Sequence, residues 1–109
     1  MKTICIDIDG VVCSNTWGKY ENAVPKIKSI KKINQLFDKG NRIILFTSRF
    51  MGLNDENIKK AYEQGYQLTK DQLEKWGVKY HVLKMGKPSY DMLIDDKHFG
   101  YNERWIDEL

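Results

Sequence analysis

Short apolar runs that end on residues able to handle charge constrain this chain more than any other feature. Thr3-Ile4-Cys5-Ile6, with Ile8, runs through Asp7 to Asp9 and Gly10. Arg42-Ile43-Ile44-Leu45-Phe46 runs into Thr47, and Met92-Leu93-Ile94 runs into Asp95-Asp96. Lys87 stands between the second of these runs and the third. Continuous apolar runs of this length read as strands buried on both faces, the kind found in parallel sheets. Residues two apart on a strand share a side, which puts Asp7 and Asp9 together. In an open parallel sheet, ligands bind beyond the carboxyl ends of the strands, where each polar group falls.

Between the runs lie helical patterns. Pro25 is suited to a first helical turn, and Ile27, Ile30, Ile33 and Phe37 recur at helical spacing with Leu36 beside them. Lys26, Lys28, Lys31 and Lys32 fall mostly off that stripe and read as a solvated face. Gly40 reads as the C′ stop. Two capped helices are expected next. Asn54 caps the first with Leu53 stapling to Ile58, and Thr69 with Gln72 forms a capping box for the second, which ends at Gly77. Gly65 between them reads as a turn or a kink. Val78 to Leu83 reads as a further strand, and Tyr101, Trp105, Ile106 and Leu109 as a helical turn packing back on the core. Strands alternating with helices predict an α/β, three-layer Rossmann-like domain with a central, mainly parallel sheet. At 109 residues the chain holds one domain, residues 1–109.

The net charge of +3 is spread among acids with no basic block, which argues against a nucleic-acid surface. No apolar run is long enough to cross a bilayer, and the acidic residues near Met1 come too early for a signal peptide. The chain therefore reads as cytoplasmic, with Cys5 and Cys13 as free thiols. Cys5 reads as core, and Cys13 as a neighbour of the acidic loop. His81 and His98 carry no recognisable role.

Two crowded carboxylates repel unless a cation neutralises them, and Mg²⁺ takes oxygen ligands while leaving room for phosphate. A phosphoryl group in transfer needs donors and positive charge around it. Thr47 and Ser48 offer hydroxyls and Lys87 an ammonium. Arg49 reads equally as a clamp on substrate or as a structural ion pair. Trp17 and Tyr20 read as a substrate-stacking flap or as loop anchors.

The motifs Asp7-Ile8-Asp9-Gly10-Val11-Val12, Phe46-Thr47-Ser48-Arg49, Gly86-Lys87-Pro88 and Ile94-Asp95-Asp96 occur in an order that resembles the aspartate-based phosphatases of the haloacid dehalogenase superfamily. The resemblance spans nearly the whole chain. It implies Asp7 as nucleophile forming an aspartyl-phosphate, and Asp9 as general acid and then base. It implies Thr47 and Lys87 around the phosphoryl group, with Ser48 and Arg49 at the substrate. It implies Mg²⁺ held by Asp7, the backbone carbonyl of Asp9, and Asp95, with Asp96 direct or through water. With about a dozen residues between Val12 and Pro25, no cap domain is expected. An open site suits a large substrate or a cap lent by a second subunit. The activity implied is an Mg²⁺-dependent phosphomonoesterase acting on a sugar phosphate or related small metabolite. A nucleotide phosphatase and a catalytically weak binding module of the same fold are the alternatives.

Overall fold

The computed structural model describes residues 1–109. Strand β1 (Thr3–Asp7), helix α1 (Ile27–Asp38), strand β2 (Arg42–Phe46), helix α2 (Ile58–Lys75), strand β3 (Val82–Lys84) and helix α3 (Trp105–Glu108) follow in that order. The sheet is parallel in the order β1-β2-β3, with Asp7 level with Phe46 and Phe46 level with Lys84. Every strand therefore ends at the same edge.

Both crossovers step in the same direction along the sheet. Right-handed connections of that kind put their helices on one face. The core agrees. Ile30, Ile33 and Leu36 of α1, Leu73 of α2 and Trp105 of α3 join Ile6, Ile43 and Leu45 in one buried cluster. The opposite face carries Cys5, Ile44, Phe46 and Val82. None of these is buried, and Cys5 is exposed rather than core as expected. Two layers thus replace the three read from the sequence. The reason is topological: only a chain that reverses direction across the sheet lays helices on the second face. The segment after β3 does not do so. Met92-Leu93-Ile94 forms no strand and lies exposed, Ile94 at 91%.

Both helix stops expected from glycine are present. Gly40 and Gly77 have φ of +94° and +71°. Asn41 N–H donates to Leu36 C=O at 3.2 Å and Gly40 N–H to Phe37 C=O at 3.0 Å. Val78 donates to Leu73 and Gly77 to Glu74 in the same pattern, at 3.0 and 3.1 Å. These paired bonds satisfy carbonyls that would otherwise be orphaned.

Two helices were expected between Leu53 and Trp76, and one is found. Asn57, not Asn54, caps it by accepting from Lys60 N–H at 3.0 Å. Thr69 lies buried mid-helix, and Gly65 sits in the helix without a break. A Cβ on Gly65 would meet the Phe50 ring, with Cε2 at 2.7 Å, and the Met85 methyl at 3.0 Å. Helix propensity alone favours Gly65→Ala by about 1 kcal/mol. Overpacking costs about 1–3 kcal/mol and should win. Urea titration is expected to show Gly65→Ala less stable than the parent.

Strand β3 begins at Val82 rather than Val78, because Val78 is spent closing the helix stop. His81 supports the ladder from just outside it. Its N–H donates to Ile43 C=O at 2.9 Å, and its Nδ1 accepts from Ile43 N–H at 3.0 Å. The imidazole also stacks on Phe37 at 4.5 Å between ring centres.

Candidate functional site

The carboxyl edge of the sheet collects Asp7, Asp9, Thr47 and Lys87, as the strand ends imply. Asp7 is the last residue of β1, and Thr47 follows β2. Lys87 is brought in by backbone bonding: Thr47 N–H donates to Lys84 C=O, and Lys87 N–H donates to Thr47 C=O, both at 3.0 Å. This extends the pairing beyond β3 and sets the lysine opposite Asp7.

Asp7 and Lys87 form an ion pair, Nζ to Oδ2 at 3.2 Å. The Asp7 Oδ1 accepts from the N–H of Ile8 at 2.9 Å. The lysine side chain is 14% exposed and the aspartate 37%, so the carboxylate still meets solvent. Burial raises the Asp7 carboxyl above its ordinary range, more than the Lys87 ammonium lowers it. Burial also works against the charge on Lys87. The Tyr90 hydroxyl and the Asp7 carboxylate outweigh it and leave the lysine pKa raised. The ammonium is therefore fully charged at neutral pH.

Asp9 has a different neighbourhood. The loop after it folds tightly: Val12 N–H donates to Ile8 C=O at 2.9 Å, and Gly10, at φ +94°, donates to Cys13 C=O at 2.8 Å. This turn holds Asp9 against Arg49. The Arg49 Nε reaches Oδ2 and Oδ1 at 3.0 and 3.1 Å, and Nη2 reaches Oδ1 at 3.0 Å. The Thr47 hydroxyl donates to Oδ2 at 3.3 Å. The Nη1 of Arg49 donates to Thr69 Oγ1 and Gln72 Oε1, and Nη2 contacts Cys13 Sγ at 3.6 Å. The guanidinium also lies over the Tyr20 ring at 5.1 Å.

Arg49 therefore belongs to the framework of the site. Its side chain is wholly buried and every nitrogen is engaged inside the chain, so it has no donor left for a substrate phosphate. Of its two expected readings, the ion pair is the one realised. Thr47 is likewise buried, its hydroxyl given to Asp9 and accepting from Arg49 N–H at 3.0 Å. Ser48 lines an open cavity beside Asp9 and is accessible.

Asp95 and Asp96 are not brought to Asp7 and Asp9. Without a fourth strand to carry them, both are exposed. Asp95 closes its own turn by accepting from Lys97 N–H at 2.9 Å, a bond that lowers its pKa. No three His, Cys, Asp or Glu side chains gather closely enough to hold a metal ion. With Asp95 and Asp96 left in solvent and the Asp7 carboxylate paired to Lys87, the residues present do not fit the Mg²⁺ centre that the resemblance implies. Cations of the chain itself balance both carboxylates.

The fold is shared with a known protein. The crystal structure of a Vibrio cholerae target protein superposes with a TM-score of 0.83 at 25% identity, over 99% of this chain and 95% of that one. The chain has that small α/β fold. No protein-family model matches it, and no curated protein does. No helix is long and apolar enough to cross a membrane.

Three contributors to the site were not foreseen. Thr69 and Gln72 lie three apart on α2 and so share a helix face, a spacing that was open to reading as a paired grip on a cation. Gln72 also donates to Tyr20 C=O at 2.7 Å, which anchors the loop before α1. Lys26, expected in solvent, donates to Gly10 C=O at 3.0 Å and to the Tyr101 hydroxyl at 3.3 Å, tying the acidic loop to the tail. Cys13 is buried, and desolvation first, then the charge of Asp9, pushes its thiol up to about 12. The thiolate is the reactive species. Burial raises the thiol of Cys5 as well, but Cys5 is exposed; iodoacetamide at mildly alkaline pH should therefore modify Cys5 slowly in the folded protein and spare Cys13 until denaturant is added, as read by peptide mass mapping.

Proposed function

We propose that this site is a phosphomonoesterase in which Asp7 is the nucleophile. The observation that carries the reading is the Asp7–Lys87 pair at the carboxyl edge of the sheet. It combines a carboxylate that still meets solvent with a partly buried ammonium, charged at neutral pH, 3.2 Å away. Lys87 can draw a phosphate dianion to the edge and offset the charge that builds as the phosphorus is attacked. An Asp7 oxygen forms a bond to phosphorus and the bond to the ester oxygen breaks, leaving an acyl phosphate on Asp7. The leaving oxygen takes a proton. Water then cleaves the acyl phosphate and restores the carboxylate. Asp9 serves both proton transfers, giving its proton to the leaving oxygen as an acid and then taking one from the attacking water as a base, once one of its oxygens gives up Thr47 or Arg49.

The order of motifs along the chain supports the same reading through its resemblance to aspartate-based phosphatases of the haloacid dehalogenase superfamily. The Mg²⁺ implied by that resemblance has no three-acid site in this arrangement, so each step is written on the chain's own groups. One observation favours a second reading. Asp9 and Thr47 are fully engaged with Arg49 and with each other, as they would be in a phosphate-binding module with little turnover.

The test is phosphate release from p-nitrophenyl phosphate, hexose phosphates and nucleoside monophosphates, with and without Mg²⁺, beside Asp7→Asn. Release that Asp7→Asn abolishes supports the phosphomonoesterase. Equal background from both proteins, with phosphate binding retained, supports the binding module.

A further inference from the structure

Beyond β3 the chain leaves the sheet, yet its first residues stay fastened. Lys87 N–H donates to Thr47 C=O at 3.0 Å, and Ser89 N–H donates to Glu56 Oε1 at 2.8 Å. Pro88 between them has its φ held at about −65° by its ring. Glu56 is itself tied down, its own N–H donating to Met51 C=O at 2.8 Å. Residues 87–89 are thus anchored to the loop after β2 and to the approach to α2. Their direction decides where the next side chain, Tyr90, goes.

It goes to Lys87. The ammonium lies 5.0 Å from the centre of the Tyr90 ring, and the phenol oxygen accepts a hydrogen bond from it. Packing alone does not account for this placement, since the ring remains about half exposed. A lysine ammonium has three N–H donors. One meets Asp7 Oδ2 at 3.2 Å, and Tyr90 takes a second. One is left over, whereas Arg49 has none to spare. Lysine carries its charge on a flexible four-carbon stem. Held by Asp7 alone, the ammonium could turn about the carboxylate, and its spare donor would have no set direction. A second acceptor removes that freedom. The Lys87 side chain is mostly out of water, so the spare donor meets little solvent.

We propose that Tyr90 is a positioning residue for the phosphoryl group: its hydroxyl fixes the Lys87 ammonium beside Asp7 so that the third N–H is kept for an oxygen of the incoming phosphate. The inference rests on the phosphomonoesterase reading and adds the group that orients its cation. Tyr90 acts through Lys87 and needs no contact with phosphorus or the ester oxygen. The arrangement serves the site in two ways. A donor already aimed at the place where charge develops costs no reorganisation when the reaction occurs. The same hydroxyl also keeps the ammonium from closing fully onto the carboxylate that must attack phosphorus.

The test compares Tyr90→Phe with the native protein, because phenylalanine keeps the ring beside Lys87 and removes only the acceptor. The Lys87 ammonium is followed by ¹H–¹⁵N correlation spectroscopy in the cold at slightly acidic pH, its signal identified by its loss in Lys87→Met. Inorganic phosphate is titrated by calorimetry, which needs no turnover. The native protein should show a protected Lys87 signal that Tyr90→Phe shifts or loses. Tyr90→Phe should bind phosphate about tenfold more weakly, the effect of one hydrogen bond to a charged group, and Tyr90→Ala should bind it no better. Native phosphate affinity in Tyr90→Phe overturns the positioning role, whether or not its urea midpoint falls. So does a Lys87 signal that is absent from the native protein or unmoved in the variant. A native protein with the anchored signal and no phosphate binding sinks the phosphomonoesterase reading itself, and the role of Tyr90 with it.

Discussion

Arg49→Met is expected to remove about 3–5 kcal/mol of folding stability, the cost of breaking a buried pair by deleting one partner. Domains of this kind are stable by about 5–15 kcal/mol, so a large share of the margin would go. The arginine side chain is entirely out of water and its guanidinium grips Asp9 from two nitrogens. Methionine fills much of the space and supplies no donor. It strands the Asp9 carboxylate and leaves Gln72 and Thr69 without the contacts that tie α2 to the loop after β2. A lysine replacement should rescue only in part, because a single ammonium cannot reproduce the fork. Urea denaturation should show the midpoint falling with an unchanged slope. The double variant Arg49→Met with Asp9→Asn should recover stability over the single one, since the stranded charge is then gone. A loss under about 1 kcal/mol from Arg49→Met would mean the pair is loosely held and that Arg49 is available to ligands after all.

The parts of this molecule legible in its sequence are those set by neighbours along the chain. Strand β2 runs from Arg42 to Phe46 as its apolar run implies, and α1 stops at Gly40 because only glycine relaxes at that φ. Asp7 is recognisable because a strand end puts a polar group at the sheet edge whatever lies elsewhere, whereas Lys87 lies three residues past β3 and reaches that edge through its backbone bond to Thr47. The misreadings are all non-local. Thr69 and Gln72 carry the spacing of a capping box, but a buried guanidinium from twenty residues upstream uses both from inside a continuous helix. Arg49 beside Thr47 looks like a group for substrate until the positions of Asp9 and α2 are known. Met92-Leu93-Ile94 has the composition of a strand and no neighbour to pair with, so its apolar residues and the two aspartates after it remain in solvent. The second sheet face is open for the same reason, since nothing local encodes whether a chain reverses direction.

Asp7→Asn should separate stability from activity. If Asp7 is the nucleophile, phosphate release should drop on the order of 10³-fold or more, because the amide cannot form the acyl phosphate. Stability should move the other way at neutral pH. Burial raises the Asp7 carboxyl above its ordinary value of 3.8. The folded protein therefore holds that proton more tightly than the unfolded chain. From the ordinary value up to the raised one, the folded state binds more protons, so stability falls as pH rises through that window and stays reduced above it. Asparagine carries no charge to desolvate and loses the dependence. The gain at pH 7 should be under about 1 kcal/mol, because the side chain is 37% exposed and solvent screens its partner. Thermal melts should place Asp7→Asn above the parent at pH 7 by less than about 5 °C and close to it at pH 3. Lys87→Met gives the counterpart: it removes the cation that offsets the buried charge and should lower stability at pH 7. A drop in melting temperature for Asp7→Asn at pH 7 would mean that attraction to Lys87 outweighs burial. In that case the pair is a structural tie, and the carboxylate is not held in the costly charged state expected of a nucleophile poised to react.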